Sequence, residues 1–408
     1  MKHLLVAAAL TAAVSAQTIQ PPFNGAYVYT NLGSAAGVGT PYGGCVFKAG
    51  NPNVLVLGGG ANGGSGAIYE VTVARDPQGF ITGFVGTATQ VSTAAFIDGG
   101  LCYGPNNVLF FTTYNNNTLG QIKPGSTVPD KVINLANFGV TGSTGTCNFA
   151  PANFPGAGEL KIASYSGGGF YGFTIAPDGT GTFDITPANG PTQINGGPEG
   201  ILYVPPGSAL IPDYTSILVN EYSTGSVVLY SLDAQGNPVP ASRTMFMTGL
   251  SGAEGSCIDP ITGDLVFVTF GGGDRVVRVT GFGVCGSNVP YGTGIAGLNG
   301  VPAIDGGGCA GRGQITTIDV TGGRPFAPGL LAVGFAPANI PVFNGALLVG
   351  IVNQFFHQLD ATGAWNLTIL LPVSPAWNGL NIYSQSWYID PAATFGVSAT
   401  AGLHTLVR

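Results

Sequence analysis

The chain has 408 residues, only 8% of them are charged, and the formal net charge at pH 7 is −7. A charge-poor, acidic chain without a cluster of lysines or arginines argues against nucleic acid and anionic membranes as partners. Glycine contributes 68 residues and proline 29, which disfavours long helices and supplies many turns. Because 45% of the residues are apolar, the composition predicts an all-β protein with packed cores rather than a disordered chain.

The first 16 residues have the pattern of a secretory signal peptide. Lys2 and His3 precede an apolar run that begins at Leu4, and small residues lead to a predicted cleavage site after Ala16. The apolar run is too short to cross a bilayer, and no later segment is predicted to span a membrane. We therefore expect a secreted, periplasmic or cell-surface protein whose partner is an extracellular small molecule, glycan or protein.

Residues 25–283 contain a repeat in which a glycine opens a short apolar strand. The aligned glycines are Gly43, Gly100, Gly145, Gly200 and Gly255, at spacings of 57, 45, 55 and 55 residues. In each repeat a second and a third strand follow, and a turn rich in glycine or asparagine separates them. Repeats of this length with three or four strands are typical of β-propeller blades. The sequence therefore predicts a β-propeller.

Five blades are predicted, because the fifth repeat stops near Phe282 after three strands and the strand at 25–32 can supply its missing outer strand. This pairing would close the ring and remove an exposed strand edge. A six-bladed ring, with one long repeat split in two, is the alternative. Residues 285–408 contain strands that alternate apolar and polar positions, and they predict a β-sandwich.

Three acidic residues stand close to the aligned glycines of three repeats. Glu199 and Glu254 directly precede their glycines, and Asp98 stands two residues before its own. Three carboxylates around one channel mouth would bind calcium or another divalent cation, since hard cations prefer oxygen ligands. The alternative is that each acid caps a turn whose glycine has a positive φ.

The second strands of repeats two to five each end in an aromatic residue. These residues are Tyr114, Tyr165, Tyr222 and Phe270. Rings repeated on one face predict either a surface that stacks on a sugar or an apolar ligand, or packing between neighbouring blades.

Motifs for catalysis are absent from the sequence. After the predicted signal peptide, the only histidines are His357 and His404, which lie beyond the repeats, so the predicted propeller has no imidazole base. There is no G-x-S-x-G nucleophile elbow and no C-x-x-C, H-E-x-x-H or P-loop motif. We therefore predict a binding or surface-interaction protein rather than an enzyme. A metal-dependent hydrolase acting in the propeller channel and a purely structural envelope protein are the alternatives.

Two stretches, GGPEGILYVP and SGAEGSCIDPITGDLVFVTFGGGDRVVRVTGF, resemble secreted bacterial propellers of the NHL-repeat and gluconolactonase-like type. Metal-dependent lactonases of that group hold calcium or zinc in the channel with one Glu, Asn side chains and an Asp. The resemblance implies as matching ligands Glu199 or Glu254, Asp98, Asn148 and Asn220. Those lactonases usually have six blades and a different ligand spacing from this chain.

The C-terminal segment resembles a different family. The stretches PYGTGIAGLNGVPAIDGGGCAGRGQITTIDV and LNIYSQSWYIDPAATFGVSATAGLHTLV look like the C-terminal β-sandwich domain common in secreted planctomycete proteins. The resemblance covers residues 285–408 and implies a fold without an attached activity.

Secretion would place the six cysteines in an oxidising compartment. Two residues after the aligned glycines stand Cys45, Cys102, Cys147 and Cys257, with Leu202 in the fourth repeat. In a closed ring only neighbouring blades bring cysteines within disulfide range. The first would then pair with the last and the middle two with each other, or all four would be unbonded apolar residues of the inner strands. Cys285 and Cys309 are predicted to bond within the C-terminal segment.

Overall fold

A computed structural model describes residues 17–408 apart from residues 78, 207, 209, 283–285, 313, 373 and 378. The predicted signal peptide and Cys285 therefore lie outside the described residues. Every regular element in the described part is a β-strand or a short 3-10 helix, so the predicted all-β class is confirmed. No helix in that part is long and apolar enough to span a membrane.

Five antiparallel sheets form the blades. Within each repeat the strands follow one another in chain order from the innermost strand outwards, and an N-terminal strand forms the outer edge of two of the sheets. Two strands precede them, β1 (Thr18–Ile19) and β2 (Val28–Gly33). Blade 1 contains β3 (Tyr42–Phe47), β4 (Val54–Gly59), β5 (Ala67–Arg75) and β6 (Ile81–Thr93). Blade 2 contains β7 (Ile97–Tyr103), β8 (Leu109–Thr113), β9 (Thr118–Ile122) and β10 (Lys131–Asn134). Blade 3 contains β11 (Thr144–Phe149), β12 (Leu160–Ser164), β13 (Gly169–Pro177) and β14 (Phe183–Gln193).

The last two blades are completed by the N-terminal strands. Blade 4 contains β15 (Pro198–Tyr203), β16 (Ser216–Glu221), β17 (Ser226–Ser231) and β18 (Thr244–Thr248). Blade 5 contains β19 (Ala253–Ile258), β20 (Leu265–Thr269) and β21 (Val276–Thr280). Strand β2 is the outer strand of blade 5, with Val28 opposite Thr280, as predicted from the early end of the fifth repeat. Strand β1 extends blade 4, with Thr18 opposite Thr248, so the chain joins the propeller before residue 25.

The inner strands close the ring. Strands β3, β7, β11, β15 and β19 contact each other in this order, and β19 contacts β3. Five apolar cores fill the five spaces between neighbouring blades. Between blades 4 and 5, for example, Leu218 and Phe246 pack with Phe267. Burial of these faces supplies the main stabilisation of the ring, since each blade alone would expose both of its apolar faces.

Residues 286–408 form two sheets that pack face to face, with one hairpin. The larger sheet contains β22 (Ser287–Tyr291), β25 (Pro328–Gly334), β28 (Asn353–Gln358), β30 (Asn381–Ile389), β31 (Val397–Ala399) and β32 (Gly402–Leu406). The smaller contains β23 (Ala303–Gly308), β24 (Ile315–Thr321) and β29 (Trp365–Leu370), and the hairpin contains β26 (Pro337–Val342) and β27 (Gly345–Val349). Ile318 and Val320 of the smaller sheet share a core with Leu331 and Tyr388 of the larger, as in a β-sandwich.

Short 3-10 helices and one disulfide complete the described part. The helices are Phe23–Gly25, Pro105–Asn107, Leu135–Phe138, Tyr222–Thr224, Pro240–Ser242 and Pro375–Trp377. The C-terminal unit contacts the propeller through Arg312, whose guanidinium carbon lies 3.9 Å from the ring centroid of Phe80. Cys309 is buried and disulfide-bonded. Its pairing with Cys285 stays a prediction, because Cys285 is outside the described residues.

Candidate functional site

The three predicted metal ligands all stand in β-bulges at the start of an inner strand. In blade 4, Pro198 and Gly200 pair with two consecutive residues of β16, which leaves Glu199 without a partner across the ladder. Strand β19 has a bulge around Glu254, and β7 has a longer one around Asp98. Side chains normally alternate between the two faces of a strand, and a bulge changes the direction in which a side chain points. This is how acids offset by one residue in the repeat reach the same point.

The bulges bring the three carboxylates together on the propeller axis. One oxygen from each side chain lies within 4.8 Å of the chosen oxygens of the other two. The residues are buried, with exposed fractions of 1% for Asp98, 2% for Glu199 and 1% for Glu254. Five of the six carboxylate oxygens have no well-formed hydrogen bond. The three acids therefore meet below the surface.

Glycines beside the acids serve close packing, and the prediction that they form turns with positive φ is wrong. None of Gly99, Gly200 and Gly255 has a positive φ. A Cβ on Gly200 would lie 2.7 Å from the backbone oxygen of Glu254, and one on Gly255 would lie 2.5 Å from the Cα of Gly44. The inner strands of neighbouring blades thus touch backbone to backbone, which excludes any larger residue from these positions.

The aligned glycines of blades 1 and 3, Gly43 and Gly145, also pack against the acid-bearing strands. A Cβ on Gly145 would collide with the backbone oxygen of Pro198 and lie 2.9 Å from Oε2 of Glu199. In blade 1, a Cβ on Gly43 would lie 2.7 Å from the backbone oxygen of Asp98. The space for three carboxylates therefore depends on two missing side chains.

The carboxylate cluster lacks positive charge. Burial raises the pKa of all three carboxyl groups well above their usual values. The negative charge of Asp98 raises the pKa of Glu199 and Glu254 further. Among the ion pairs of the described residues, none involves these acids. Three buried acids this close must be neutralised by protons or by a cation.

Two asparagine side chains border the cluster. Asn220, which the resemblance implies as a ligand, is fully buried and donates from Nδ2 to the backbone oxygens of Glu254 and Gly255. Its Oδ1 has no partner. Asn62 lies beside Asp98, and its Oδ1 is also unpartnered. Asn62 was not predicted from the sequence, because it comes from a turn of blade 1 that has no acid of its own.

The four predicted ligand-binding aromatic residues form one continuous arc. Centroid distances are 6.0 Å from Tyr114 to Tyr165, 5.6 Å from Tyr165 to Tyr222 and 5.6 Å from Tyr222 to Phe270, all with edge-to-face geometry. Each of the four is half-buried. Burial raises the pKa of Tyr222, and the charge of Glu254 raises it further, so this aromatic arc lies close to the carboxylate cluster.

Two glycines in turns before the acid-bearing strands pack against rings of the aromatic arc. Gly197 has a φ of +67°, and a Cβ on it would lie 2.7 Å from Cε2 of Tyr165. Gly252 has a φ of +65°, and a Cβ on it would lie 2.9 Å from Cε2 of Tyr222. Each of these glycines stands two residues before a glutamate of the cluster. The repeated G-P-E-G and G-A-E-G motifs therefore encode the turn, the seat of the ring and the carboxylate together.

The opposite end of the inner strands holds a cavity and the blade cysteines. The cavity has a volume of about 610 Å³, and its walls include Phe47, Phe149 and Tyr203. Asn148 also lines it and donates from Nδ2 to the backbone oxygen of Ile201 at 2.9 Å. The metal role that the resemblance implies for Asn148 is therefore wrong, since it stands three residues, or about 10 Å, beyond the glycine at the cluster.

Two pairs of blade cysteines are in contact at this end. The Sγ atoms of Cys45 and Cys257 are 3.5 Å apart, and those of Cys102 and Cys147 are 3.8 Å apart. All four are buried, unbonded thiols. The contacts join the neighbours that the repeat alignment predicts, in the unbonded form that was the alternative to disulfides.

Comparison with known proteins gives no family for the chain. No family model matches it, and no curated protein matches it. Among solved structures, a glucose dehydrogenase-type putative oxidoreductase of Thermus thermophilus shares 15% identity over 61% of this chain and 85% of its own, with a TM-score of 0.35. Glutaminyl cyclase of Myxococcus xanthus shares 13% identity over 62% of this chain and 96% of its own, with a TM-score of 0.36. The β-propeller domain of Cps50 (Swd1) from Myceliophteria thermophila shares 11% identity over 58% and 70%, with a TM-score of 0.34.

The low identities and TM-scores of these similarities carry no information about the activity of this chain. Its function has to be inferred from its own residues.

Proposed function

We propose that this protein is a secreted or surface-exposed binding propeller that holds one divalent cation between Asp98, Glu199 and Glu254. Its ligand, for which we favour a glycan, binds against the aromatic arc. The observation that carries the proposal is the meeting of three buried carboxylates whose oxygens are almost all without hydrogen bonds. A fold that gathers three acids without an arginine or lysine partner leaves a place for a cation.

The donor set favours a hard cation. All three side chains offer carboxylate oxygens. The side chains of Asn62 and Asn220, whose amide oxygens are also without hydrogen bonds, border the cluster. Calcium takes six to eight oxygen ligands in flexible geometry, whereas zinc prefers nitrogen and sulfur. No histidine or cysteine belongs to the group. Calcium is therefore the first candidate, and when bound it would supply positive charge to the cluster and join blades 2, 4 and 5.

The aromatic arc supplies the binding face. Three tyrosines and one phenylalanine, all half-buried, span blades 2 to 5 beside the cluster. Partly exposed rings stack on the apolar faces of sugars, and tyrosine hydroxyl groups can bond to sugar hydroxyls. A cation below the rings would fix the loops that seat them.

Binding is favoured over catalysis, because the described residues place no imidazole at the arc. His357 stacks on Trp365 and contacts Tyr388 at 3.0 Å, both within the C-terminal unit. His404 stacks on Tyr383 in the same unit. Both imidazoles thus have local partners far along the chain from the propeller strands.

The decisive experiment measures metal content and its linkage to stability. The full-length protein would be dialysed into metal-free buffer with and without chelator, then analysed by mass spectrometry for metals and by calorimetry for calcium binding. We expect one calcium per chain and a lower melting temperature after chelation, because a ligand that binds only the native state stabilises it. An unchanged melting curve together with no bound metal would refute the cation site.

Variants separate the site from general burial. Glu199→Gln and Glu254→Gln should abolish calcium binding while keeping the shape of the side chains. Asp264→Asn is the matched control, since Asp264 is also buried with unbonded oxygens but lies away from the cluster. This variant should bind calcium normally.

A glycan array with and without calcium tests the ligand, and a panel of lactones and esters tests the hydrolase alternative. If the protein hydrolyses a lactone and Glu254→Gln abolishes this activity, the proposed binding function would be replaced by a hydrolase function.

A further inference from the structure

The blade cysteines stand at equivalent positions in four of the five inner strands, and the fifth inner strand has no cysteine there. One residue from each inner strand stands at this level: Cys45, Cys102, Cys147, Leu202 and Cys257. Five positions can form two neighbouring pairs with one left over. The two contacts between sulfur atoms are of this kind, and the remaining position holds a buried leucine.

We propose that both pairs are oxidised to disulfides that join neighbouring blades, and that the Cys45–Cys257 bond locks the ring at its seam. Blades 1 and 5 meet at the seam, because the chain enters blade 1 at β3 and completes blade 5 with the N-terminal β2. Only non-covalent contacts hold this seam while the cysteines are thiols. A bond between β3 and β19 would turn the closed ring into a covalent circle.

The geometry favours these bonds over a metal bound by thiolates. Sulfur atoms 3.5 and 3.8 Å apart need to move by less than 2 Å in total to reach the disulfide distance of about 2.05 Å. A tetrahedral zinc or iron site needs three or four ligands around one point. Among the described residues, the only such group of three is the acid cluster, so the thiols do not converge on a single metal.

The cavity at this end gives an oxidant access. Cys45, Cys102 and Cys257 line the cavity of about 610 Å³, so at least one cysteine of each pair borders it. A small disulfide such as oxidised glutathione would react in two exchange steps. The first cysteine attacks one sulfur of the oxidant and releases one thiol, and the second cysteine attacks the mixed disulfide and releases another. The two protein protons and two electrons end on the two released thiols, which balances the reaction.

Burial should make this exchange slow in the folded protein. Thiolates are the attacking species. The contact with Cys102 and burial raise the pKa of Cys147 well above the usual value, and burial and the contact with Cys45 do the same for Cys257. Oxidation by glutathione should therefore accelerate as the pH rises from 7 to 9.

Peptide mapping of the wild-type chain tests the pairing without any variant. The full-length protein would be incubated with oxidised glutathione at pH 8, alkylated under denaturing conditions and digested without reductant. We expect two linked peptide pairs, Cys45 with Cys257 and Cys102 with Cys147, and no alkylation of these four residues. Alkylation of all four, a link between any other two, or only one of the two bonds would overturn the proposal.

Paired variants test the role of the seam. The seam bond spans 212 residues and the other 45, and a longer closed loop restrains the unfolded chain more. In the oxidised protein, Cys257→Ala should therefore lower the melting temperature by about 2 °C more than Cys147→Ala. With reductant present, this difference should disappear. Equal melting temperatures in oxidised protein, with both bonds mapped in the wild type, would refute the seam lock.

Leu202→Cys is the matched control for pairing by geometry. It adds a fifth thiol at the same level, where no unpaired neighbour is left. This thiol should be alkylated while the other four are not. Exchange of a native pair for a bond to residue 202 would show that the pairs are not fixed by the fold.

Discussion

The two ends of the five inner strands carry opposite chemistry on the same backbone. At the end where these strands begin, three acids meet without any basic partner. At the other end arginines face the acids. Nη1 and Nη2 of Arg75 donate to Asp259 at 2.6 and 2.9 Å, and Nε of Arg278 lies 3.6 Å from Oδ2 of Asp264. The fold can therefore neutralise buried acids with arginines, as it also does for Glu221 through Arg243, but it does not do so at the carboxylate cluster.

This difference separates structural acids from candidate ligands. A buried ion pair satisfies its own charge and needs no further group. The carboxylate cluster has no such compensation, so its charge must be met by protons or by a bound cation. The predictions below test whether the acid end is specialised for a cation or is simply a crowded, protonated core.

The largest effect is expected from filling the space at the acid end. Gly145→Ala would place a methyl group against the backbone oxygen of Pro198 and 2.9 Å from Oε2 of Glu199. Because a backbone group cannot move aside, we expect a loss of unfolding free energy of about 3 kcal/mol or more, above the usual range for overpacking. Urea unfolding measures it. Gly25→Ala is the control, since a Cβ there meets nothing within 4 Å, and its effect should stay within about 0.5 kcal/mol. Similar losses for both variants would show that the axis is not tightly packed.

The second prediction concerns calcium and pH at the acid end. The raised pKa values mean that the folded protein binds protons more tightly than the unfolded chain does. Their contribution to stability is fully present below the unfolded pKa values and is lost as pH rises through the folded ones. Calcium would replace these protons, and at 100 times its Kd it would add about 2.7 kcal/mol.

The calcium-induced rise in melting temperature should therefore grow with pH and disappear in acid. Melting curves between pH 4 and pH 9, with calcium or with chelator, provide the measurement. A calcium effect of equal size at all pH values would point to a site elsewhere on the surface.

Much of the architecture could be predicted because it follows from local repeats. The glycine and strand pattern predicted the propeller, and the truncated fifth repeat predicted the pairing of β2 with β21. The same alignment placed Cys45 beside Cys257 and Cys102 beside Cys147. These predictions succeed because a blade is a local unit, and equivalent positions in neighbouring blades must stand at the same level.

The details of the acid site could not be predicted from the sequence. The bulges that aim Asp98, Glu199 and Glu254 at one point depend on strand register, which no residue type specifies. Glycine beside each acid suggested a turn, but the cause is backbone contact between blades. The burial of the cluster and the nearness of Asn62 depend on how loops from different blades meet.

The third prediction concerns Asp264, a buried acid at the end of the inner strands where the cysteines lie. Burial raises the pKa of Asp264 to about 7 from an ordinary value of 3.8, although the charges of Arg278 and Arg312 lower it. The folded state therefore holds this proton more tightly, and its contribution to stability is complete below about pH 4 and lost as pH rises through about 7. In this window the proton on Asp264 makes the unfolding free energy fall by up to about 1.4 kcal/mol per pH unit. Asp264→Asn should remove this part of the pH dependence.

Urea unfolding at several pH values, with and without calcium, checks this expectation. Calcium should change the pH dependence of the wild type and of Asp264→Asn by the same amount, because Asp264 is not part of the cluster. If Asp264→Asn instead abolished the calcium effect, the two ends would be coupled, and the assignment of the cation to the acid end alone would be wrong.

The smallest effect is expected from the aromatic arc, and it decides whether the rings bind or pack. Tyr222→Ala removes a half-buried ring that contacts two others in the arc. If the arc is a binding face, glycan affinity should fall about tenfold, or about 1.4 kcal/mol, while the unfolding free energy falls by less than about 2 kcal/mol. Tyr214→Ala is the control, since Tyr214 is an exposed tyrosine of the same blade outside the arc, and its affinity should not change. If Tyr222→Ala instead lowers the unfolding free energy by about 3 kcal/mol or more, as truncation of a core aromatic does, the arc is interblade packing. The cation site would then have no ligand-binding surface beside it.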